Sequence, residues 1–565
     1  MVKNNYYMVN KNRSFFGEYP TLQEVLEITV LNNRDGICFI TNKPIRTEMT
    51  FAEVHQKVSK IGSWLMENGI EKGDRVALCG KNSIAWALLY IAVSYAGAVV
   101  VPMDCQMETD KLSRLVKFSG ARMLFIDSEL INGVEDIPDL KVMDLGAVSD
   151  LAPSTLKDKV KITCDDVLSM LFTSGTTGNE KCVVLSHANV ISDAFMASSD
   201  EFLTLGTFDV MFALLPLHHA YCCTAVLVET LLNGNRCLFG QGMVPSKIIS
   251  DMKEGNVTFM MGIPMLYNKF LSATYRKIRS KGAVTYAMFR TLMWVNGCTR
   301  KLFHINNGRV WFKTVLESLG MMDLNVCISG AGPLSPKTFK AYQRLGIDFI
   351  QGYGLTETSP ILALNPVSAF KVKSVGRIFP EIETRILEPD AFGVGELAVK
   401  GPCCTKGYYK DEESSRALFT DDGFLRTGDL GVLDKNGYLY LKGRAKNIIV
   451  TEGGKNVFPE EIEEHFQLFP EISQILVRGY VQDKSRMSEE IEAVIYPSPE
   501  FFAGRSPDEV RDAVQEIVHN VNAKMISYKK ISRISIVDQP MSMTTTKKIQ
   551  RSKVAEAIGS LIRLI

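Results

Sequence analysis

A run of hydroxyl, glycine and lysine residues between positions 173 and 181 has the composition of a phosphate-binding loop. The run is Thr173-Ser174-Gly175-Thr176-Thr177-Gly178-Asn179-Glu180-Lys181, directly after the apolar residues 167–172. Glycines let backbone N–H groups approach an anion closely, while hydroxyl and ammonium groups supply further donors. Gly178 and Lys181 are three residues apart, so the spacing of a Walker A loop is absent. The run predicts a nucleotide-phosphate site that is not of the kinase or GTPase type.

Side chains that suit the rest of a nucleotide recur in three later segments. These are Gln351-Gly352-Tyr353-Gly354-Leu355-Thr356-Glu357-Thr358, then Thr427-Gly428-Asp429 with Gly443-Arg444, and finally Thr544-Thr545-Thr546-Lys547-Lys548-Ile549-Gln550-Arg551. Together they offer an aromatic ring, two carboxylates and several cations. Each segment alone is a weak signal, and their order along the chain gives them weight.

The length and composition indicate a multidomain globular protein. Its 565 residues exceed what one hydrophobic core supports, and its apolar content of 46% and charged content of 22% are ordinary. The 64 basic and 63 acidic residues leave a net charge of +1, which gives no sign of nucleic-acid binding. The twelve cysteines show no Cys-x-x-Cys pair and no zinc-type spacing, so we expect reduced, mostly packed thiols.

The N-terminal part of the chain predicts neither a leader nor a membrane span. Residues 1–18 lack the apolar core of a signal peptide, which favours a cytoplasmic protein. Residues 84–103 are almost entirely apolar, but Gly97 interrupts them and Pro102 comes near their end. Their change from an Ala/Leu-rich to a Val-rich composition predicts a buried helix followed by a buried strand.

Short apolar runs that alternate with amphipathic stretches must position the chemical groups. The runs of strand length are Val76–Cys79, Val99–Val101, Met123–Ile126, Val167–Phe172, Val210–Leu215, Val257–Met261 and Leu324–Ile328. This alternation predicts an α/β fold with parallel sheets, in two wound layers that share helices.

The pattern changes from residue 381 onward. Frequent glycines separate short runs such as Glu396–Lys400 and Tyr438–Lys442, which predicts a small β unit of hairpins over residues 381–442. The chain then restarts as a compact α/β piece, in which Pro459 followed by acidic residues predicts a helix start.

The motifs, taken in order, resemble those of the adenylate-forming superfamily of acyl-CoA synthetases, carrier-protein-loading adenylation domains and luciferases. The resemblance runs from about residue 20 to residue 555. Residues 443–450, 454–457 and 459–463 are most similar to acyl-CoA ligases of the medium- to long-chain type. It implies a large N-terminal AMP-binding domain (1–442) of two wound α/β layers plus a small β-barrel-like unit, a hinge (443–447) and a small mobile α+β C-terminal domain (448–565).

The resemblance also implies a role for each motif in joining a carboxylic acid to AMP. Bringing two anions together requires cations at one point. The ATP phosphates would be held by Thr173, Ser174, Gly175, Thr176, Thr177, Gly178 and Lys181. Mg²⁺ would be ligated by Thr177 and Glu357. The α-phosphate would be contacted by Thr356. Adenine would pack on Tyr353, within Gln351-Gly352-Tyr353-Gly354, opposite Gly330-Ala331-Gly332. Asp429 would accept the ribose hydroxyls near Arg444, and Lys548 would bridge the substrate carboxylate and the α-phosphate. Lys547 is the alternative to Lys548, which we prefer because Ile549 and Arg551 follow it in the family's spacing.

A second half-reaction with coenzyme A follows from the same resemblance. The small domain would swing at Lys446, and Gly453 and Gly454 would line a tunnel for the pantetheine arm.

Two features have competing interpretations. His219 matches a family histidine near the acyl group, whereas the alternative is a hydrogen-bonded core histidine. Ten basic residues and no acid lie between Lys269 and Lys313, interleaved with aromatic residues. This stretch is typical of a solvated helical face, and the alternatives are a peripheral membrane face or a surface for the phosphates of coenzyme A.

The sequence therefore predicts an ATP-dependent, AMP-forming acyl-CoA ligase that uses ATP, Mg²⁺ and coenzyme A. One alternative loads the acyl group onto a carrier protein. The other is a lapsed nucleotide- or lipid-binding scaffold, suggested by Glu180, Cys182 and Lys547, which depart from the family's usual residues. Amino-acid-activating members of the superfamily carry an aspartate in this region that pairs with the substrate ammonium. None stands beside Ala220 and Tyr221, so the resemblance implies an uncharged acyl or aryl group. Neither chain length nor oligomeric state follows from the sequence.

Overall fold

The computed structural model describes residues 6–7, 14–15, 18–173, 180–451, 455–481, 489–544 and 548–561. Its strands are β1 (Tyr6–Tyr7), β2 (Ser14–Phe15), β3 (Ile37–Thr41), β4 (Thr47–Thr50), β5 (Arg75–Cys79), β6 (Val99–Met103), β7 (Ala121–Ile126), β8 (Lys141–Asp144), β9 (Val167–Thr173), β10 (Lys181–Ser186), β11 (Val210–Ala213), β12 (Arg236–Phe239), β13 (Phe259–Gly262), β14 (Val326–Ser329), β15 (Asp348–Gly354), β16 (Ile361–Leu364), β17 (Gly376–Ile378), β18 (Glu383–Leu387), β19 (Gly395–Lys400), β20 (Leu425–Leu433), β21 (Tyr438–Arg444), β22 (Ile449–Val450), β23 (Asn456–Val457), β24 (Ile472–Tyr480), β25 (Glu490–Pro497) and β26 (Arg533–Ile536).

The α-helices are α1 (Leu22–Asn32), α2 (Phe51–Glu67), α3 (Ile84–Tyr95), α4 (Thr109–Ser119), α5 (His187–Ala197), α6 (Ala220–Cys222), α7 (Glu229–Asn233), α8 (Pro245–Gly255), α9 (Pro264–Arg279), α10 (Ala283–Phe303), α11 (Gly308–Trp311), α12 (Lys313–Leu319), α13 (Pro336–Leu345), α14 (Glu412–Ala417), α15 (Pro459–Glu463), α16 (Pro507–Asn522) and α17 (Arg551–Leu561). A π-helical turn, Cys223–Val228, joins α6 to α7. No helix of the described segments is long and apolar enough to cross a membrane.

Two large sheets carry most of the chain. The first has the order β10-β9-β6-β5-β7-β8, and its neighbours are parallel except for the β9–β10 pair. The second has the order β18-β19-β20-β21-β17-β16-β15-β14-β13-β11-β12-β3-β4 and is parallel from β15 to β3. The predicted two α/β layers are confirmed, and the glycine-rich β unit continues the second sheet as antiparallel strands.

Helix α3 shows how the two sheets share helices. Nine of its twelve residues are buried, and it contacts β5 and β6 of the first sheet and β3 of the second. Ser83 caps the helix by accepting a 3.2 Å hydrogen bond from the backbone N–H of Trp86. Gly97, with a φ of 68°, then turns the chain into β6. The prediction of a buried helix followed by a buried strand over residues 84–103 is confirmed.

The hydrophobic interior is divided at about residue 445. One continuous core runs from Leu22 to Leu439, and a separate core runs from Ile449 to Ile531, where α16 packs on β25. We call residues 18–442 the large lobe and residues 448–561 the small lobe. The predicted helix start at Pro459 is confirmed, since Pro459 occupies the first turn of α15.

Gln467 joins the two lobes through its side-chain amide. Its Nε2 donates a 2.9 Å hydrogen bond to the carbonyl of Pro333, and its Oε1 accepts a 2.9 Å bond from the backbone N–H of Ser335. A longer bond of 3.4 Å reaches the same oxygen from Asn268. These contacts hold the small lobe over the carboxyl ends of the parallel strands of the second sheet.

Candidate active site

A cavity of about 2460 Å³ lies between the two lobes, and every described residue that the sequence predicts for the site lines it. These residues are Thr173, Lys181, His219, Gly330, Ala331, Gly332, Gln351, Gly352, Tyr353, Gly354, Thr356, Glu357, Asp429, Arg444, Lys446 and Lys548. The predicted residues Ser174, Gly175, Thr176, Thr177, Gly178, Gly453 and Gly454 lie outside the described residues, as does Lys547. The cavity is at the carboxyl ends of parallel strands, which is where open α/β sheets bind ligands.

A hydrogen-bonded trio of side chains forms one wall of the cavity. The hydroxyl of Tyr353 donates a 2.8 Å bond to Oδ2 of Asp429, and Nε of Arg444 lies 3.0 Å from Oδ1. Asp429 and Arg444 are paired residues of β20 and β21, so the sheet register sets their contact. Burial, and next the Asp429 charge, raise the pKa of Tyr353, which therefore stays a neutral donor. The carboxylate is oriented and still has lone pairs for further donors.

Two glycines on the neighbouring strand ends have no room for a side chain. A Cβ on Gly354 would lie 1.6 Å from the carbonyl oxygen of Pro360, and one on Gly330 would lie 2.8 Å from the ring of Tyr221. Ala331 follows in the left-handed region with a φ of 63°. A side chain at Gly354 or Gly330 would therefore have to displace Pro360 or Tyr221 and would disturb this wall of the cavity.

Tyr408, which the sequence analysis did not identify, links the predicted metal ligand to the predicted phosphate lysine. Its hydroxyl donates a 2.9 Å hydrogen bond to Oε1 of Glu357, and its ring lies under Nζ of Lys181 at 4.6 Å. Burial, and next the Glu357 charge, raise the pKa of Tyr408, so the phenol remains protonated. The sequence signal is an aromatic pair after a glycine, with Lys406 and Lys410 on either side.

The Glu357 carboxylate suits Mg²⁺ as one ligand among several. In the described part of the chain no group of three or more His, Cys, Asp or Glu side chains could hold a metal. Mg²⁺ at nucleotide sites commonly takes one or two carboxylates together with phosphate oxygens and water. A single carboxylate beside a phosphate site fits that pattern.

Glu180, which departs from the family's usual proline, lies just before β10 and is neutralised by a lysine from helix α4. It forms an ion pair with Lys111 of α4, and both residues line the cavity. Lys111 was not predictable as its partner, because α4 is about seventy residues away in the chain. The ion pair removes the net negative charge that would repel a triphosphate.

Lys548 projects from the small lobe into the cavity and is solvent-accessible there. Enclosure by the two lobes lowers its pKa to about 8, with the Arg444 and Arg551 charges acting in the same direction and Asp429 and Glu460 opposing them. A lysine whose pKa is lowered mainly by enclosure, with cations beside it, is placed to receive an anion.

A short turn and an arginine fix the position of Lys548. The backbone N–H of Thr544 donates a 2.8 Å bond to the Lys548 carbonyl, and the Lys548 N–H donates a 3.1 Å bond to the Thr544 hydroxyl. Arg551, three residues on, donates a 2.6 Å bond to Oε1 of Glu463 and a 2.7 Å bond to the carbonyl of Val477. The lysine is therefore carried on an anchored segment of the small lobe.

Positive charge also accumulates around Lys446, at the predicted hinge. Partial burial lowers its pKa, and the charges of Arg444 and Lys181 lower it further. Together with Lys548 they bring cations from three segments of the chain to this part of the cavity. Mutual repulsion of this kind is relieved when a polyanion binds.

His218 and His219 lie together at the start of α6. Their rings are 4.2 Å apart, and burial lowers the pKa of His218 to about 4 and that of His219 to about 3. Both imidazoles are neutral at physiological pH. His219 borders the cavity, which leaves its predicted role near the acyl group open.

An apolar compartment extends the cavity into the large lobe beside the π-helical turn. Its walls include Ala197, Leu203, Leu205, Met211, Ala225, Met261 and Ile263. Glu229, also in the wall, is almost fully buried and accepts a 2.5 Å hydrogen bond from Asn233. The compartment can hold an apolar acyl or aryl group next to the cationic part of the cavity.

Family models describe both parts of the chain. The model described as "AMP-binding enzyme" matches residues 27–409, and the model described as "AMP-binding enzyme C-terminal domain" matches residues 446–564.

Curated relatives align with nearly the whole chain. A long-chain-fatty-acid–CoA ligase, FadD15 of Mycobacterium bovis, is 26% identical and covers 92% of both chains. The feruloyl-CoA synthase of an Amycolatopsis species is 26% identical over 91% of this chain and 94% of its own. A mitochondrial medium-chain acyl-CoA ligase of Danio rerio, ACSF2, is 26% identical over 95% of this chain and 88% of its own.

Solved structures share the fold. The anthranilate–CoA ligase AuaEII in complex with anthranoyl-AMP has a TM-score of 0.78 at 22% identity, covering 96% of this chain and 98% of its own. ATP-bound MatB from Rhodopseudomonas palustris has a TM-score of 0.76 at 24% identity, covering 95% and 99%.

Proposed function

This chain belongs to the AMP-binding enzyme family, and we propose that it is an ATP-dependent, AMP-forming acid–CoA ligase. The convergence of Lys181, Arg444, Lys446 and Lys548 on one cavity, beside the carboxylates Glu357 and Asp429, is the observation that carries the proposal. Relatives that align with almost the full chain are named as ligases of CoA with fatty or aromatic acids.

In the first half-reaction, a carboxylate oxygen of the acid attacks the α-phosphorus of ATP. The bond to pyrophosphate breaks, and acyl-AMP and pyrophosphate form. Lys548 offsets the repulsion between the carboxylate and the α-phosphate, while Thr173 and Lys181 contact the outgoing phosphates. Glu357 would hold Mg²⁺, which would supply neutralisation of the phosphate charge. Asp429 accepts the ribose hydroxyls and adenine lies on Tyr353, beside Gln351, opposite Gly330.

In the second half-reaction, the thiol of coenzyme A attacks the acyl carbonyl, and AMP leaves as the thioester forms. We propose that residues 443–447 act as a hinge that withdraws Lys548 beforehand. The Gln467 contacts and the presence of Lys548 in the cavity support the proposal that this orientation serves adenylation. The products are acyl-CoA, AMP and pyrophosphate.

A fatty or aryl acid without a second charge is the substrate class that the apolar compartment favours. We place the reaction in the cytoplasm, because all twelve cysteines are free and eight of them are buried, which suits a reducing compartment.

The decisive experiment is ATP–pyrophosphate exchange across short, medium, long and aromatic acids, followed by thioester assays with coenzyme A and with a phosphopantetheine-bearing carrier protein. We expect acid-dependent exchange and acyl-CoA formation. Exchange with transfer to the carrier protein alone would replace the CoA ligase by a carrier-loading enzyme. Lack of exchange with every acid would contradict the enzymatic proposal and favour a scaffold.

A further inference from the structure

The outward face of helix α10 is apolar and exposed. Val284, Met288, Trp294 and Leu302 are 83%, 60%, 57% and 67% exposed. With Thr291 and Cys298 between them, they follow one side of the helix at spacings of three or four residues. A surface helix of a globular protein ordinarily presents polar residues on this side.

The opposite side of the same helix already packs on the large lobe. Phe289, Met293 and Asn296 are its buried residues, and Phe289 lies edge-on to Phe312 at 5.3 Å. The outward stripe is therefore additional apolar surface that the helix does not need for folding. Exposed apolar residues continue at the end of the helix and beyond it, at Phe303, Ile305, Val310 and Trp311.

Cations border this apolar stripe, and acidic residues are absent from the same segment. Between Lys269 and Lys313 there are ten basic residues and no acid. Exposed members include Lys277, Arg279, Lys281, Arg290 and Lys301. Arg279 lies over the ring of Tyr286 and Arg290 over the ring of Tyr275. These contacts orient the two guanidinium groups.

The elements packed against α10 keep the surface positive. Helix α13 contacts α10 and carries Lys340 and Arg344 and no acid, whereas its Lys337 lies near Glu464 and His465 of the small lobe. Two of the nearby carboxylates are paired, since Asp348 binds Arg300 and Glu317 lies 3.7 Å from Lys313. A third, Asp323, is exposed next to Met322, whose carbonyl accepts a bond from Arg309. No compensating acidic patch faces the stripe from these elements.

We propose that the exposed side chains of residues 276–311, hereafter the α10 surface, bind the headgroup region of an anionic lipid bilayer. Apolar and aromatic side chains flanked by lysine and arginine are what interfacial helices use, burying the former among acyl chains while the latter meet lipid phosphates. A second copy of this chain is a poor partner, because two such surfaces carry the same sign of charge. The helix lies on the bilayer rather than across it.

The α10 surface is connected to the active-site cavity through helix α9. Met265, Leu266, Phe270 and Ala273 of α9 line the cavity, and the last turn of α9 contributes cations to the surface. If the proposed ligase activity holds, a membrane-soluble acid would be taken up beside the helix that borders its binding compartment.

The test is co-sedimentation of the full chain with vesicles of phosphatidylcholine alone and with added phosphatidylglycerol, at low and high salt. We expect binding to the anionic vesicles that weakens at high salt. Trp294 and Trp311 are the two exposed tryptophans of four, so their emission should shift to the blue on binding. Met288→Glu/Trp294→Glu should weaken binding about tenfold or more, because two carboxylates would enter an anionic interface.

Phe392→Glu is the control, because Phe392 is 87% exposed in the turn after β18, the edge strand at the antiparallel end of the second sheet, away from β14, which follows α10. It should bind vesicles like the parent, and both variants should unfold at the parent's temperature. Equal binding to neutral vesicles, or no loss in the double variant, would overturn the proposal. So would a dimer that the double variant separates, which would make the α10 surface a self-association interface. None of these measurements requires turnover, so they are independent of the ligase assignment.

Discussion

The hydroxyl of Tyr353 donates a 2.8 Å hydrogen bond to Asp429, a residue 76 positions later in the chain. This bond and the Arg444 ion pair fix the carboxylate before any ribose arrives. Asp429→Ala should raise the KM for ATP about tenfold to a hundredfold, since hydrogen bonds to a charged acceptor contribute about 1.5–3 kcal/mol. Initial rates at varied ATP measure this. The exposed Asp421→Asn is the control, and an unchanged KM in Asp429→Ala would remove the ribose assignment.

Lys548→Ala should separate the two half-reactions. Loss of one preorganised cation should slow adenylation by about a hundredfold or more, while thioester formation from supplied acyl-AMP stays close to the parent rate. Pyrophosphate exchange and single-turnover thioester assays report the two steps. Lys547→Ala is the matched variant, and a larger exchange defect there would move the assignment by one residue.

The pH dependence of adenylation should follow the charge of Lys548. Because its pKa is about 8, the side chain is mostly protonated at pH 7 and loses its charge as the pH rises through 8. We expect kcat/KM for exchange to fall on the alkaline side with an apparent pKa near that value. Lys548→Arg keeps its charge throughout, so its fall should disappear even if its rate is lower. A fall at the same pH in this variant would assign the titration to another group.

Tyr408→Phe should weaken the use of Mg²⁺ more than the binding of the acid. It removes the hydrogen bond to Glu357 but keeps the ring beneath Lys181. The expected cost is about 1 kcal/mol, or about fivefold in the Mg²⁺ concentration for half-maximal exchange. Tyr409→Phe is the control. An identical Mg²⁺ titration for Tyr408→Phe and the parent would show that this bond does not orient the carboxylate.

Lys111→Ala should expose the charge of Glu180 to the phosphate loop. A partly exposed ion pair contributes up to about 1 kcal/mol, so we expect the KM for ATP to rise up to about fivefold. Glu180→Gln alone should have little effect, and the double variant Lys111→Ala/Glu180→Gln should regain the parent KM. A double variant as impaired as Lys111→Ala would mean that Lys111 contacts the nucleotide itself.

The strands were predictable because buried parallel strands are continuous apolar runs. The residues at which the strands end were harder to predict. The run Val210–Leu215 was expected to be one strand, but β11 stops at Ala213, because the N–H of Leu214 bonds back to the carbonyl of Phe212. Leu214 and Leu215 remain buried, so hydrophobicity gave no sign of the turn.

Motif residues of the site were predictable, whereas the side chains that orient them were not. Asp429 and Lys548 belong to short contiguous motifs that can be recognised in the sequence. Tyr408 and Lys111 act on residues 51 and 69 positions away, through the pairing of distant elements that no local pattern encodes. The groups expected to touch the nucleotide were therefore predictable, whereas the side chains that contact and orient them were not.

The Gln467 amide has a kinetic consequence for a two-orientation enzyme. Both of its polar atoms are satisfied by the backbone of residues 333–335, so any swing of the small lobe must first give up these bonds. Stronger Gln467 contacts would stabilise the orientation proposed for adenylation and lengthen the time before thioester formation. If residues 443–447 act as the proposed hinge, weaker Gln467 contacts would ease the swing and leave Lys548 less often in the cavity.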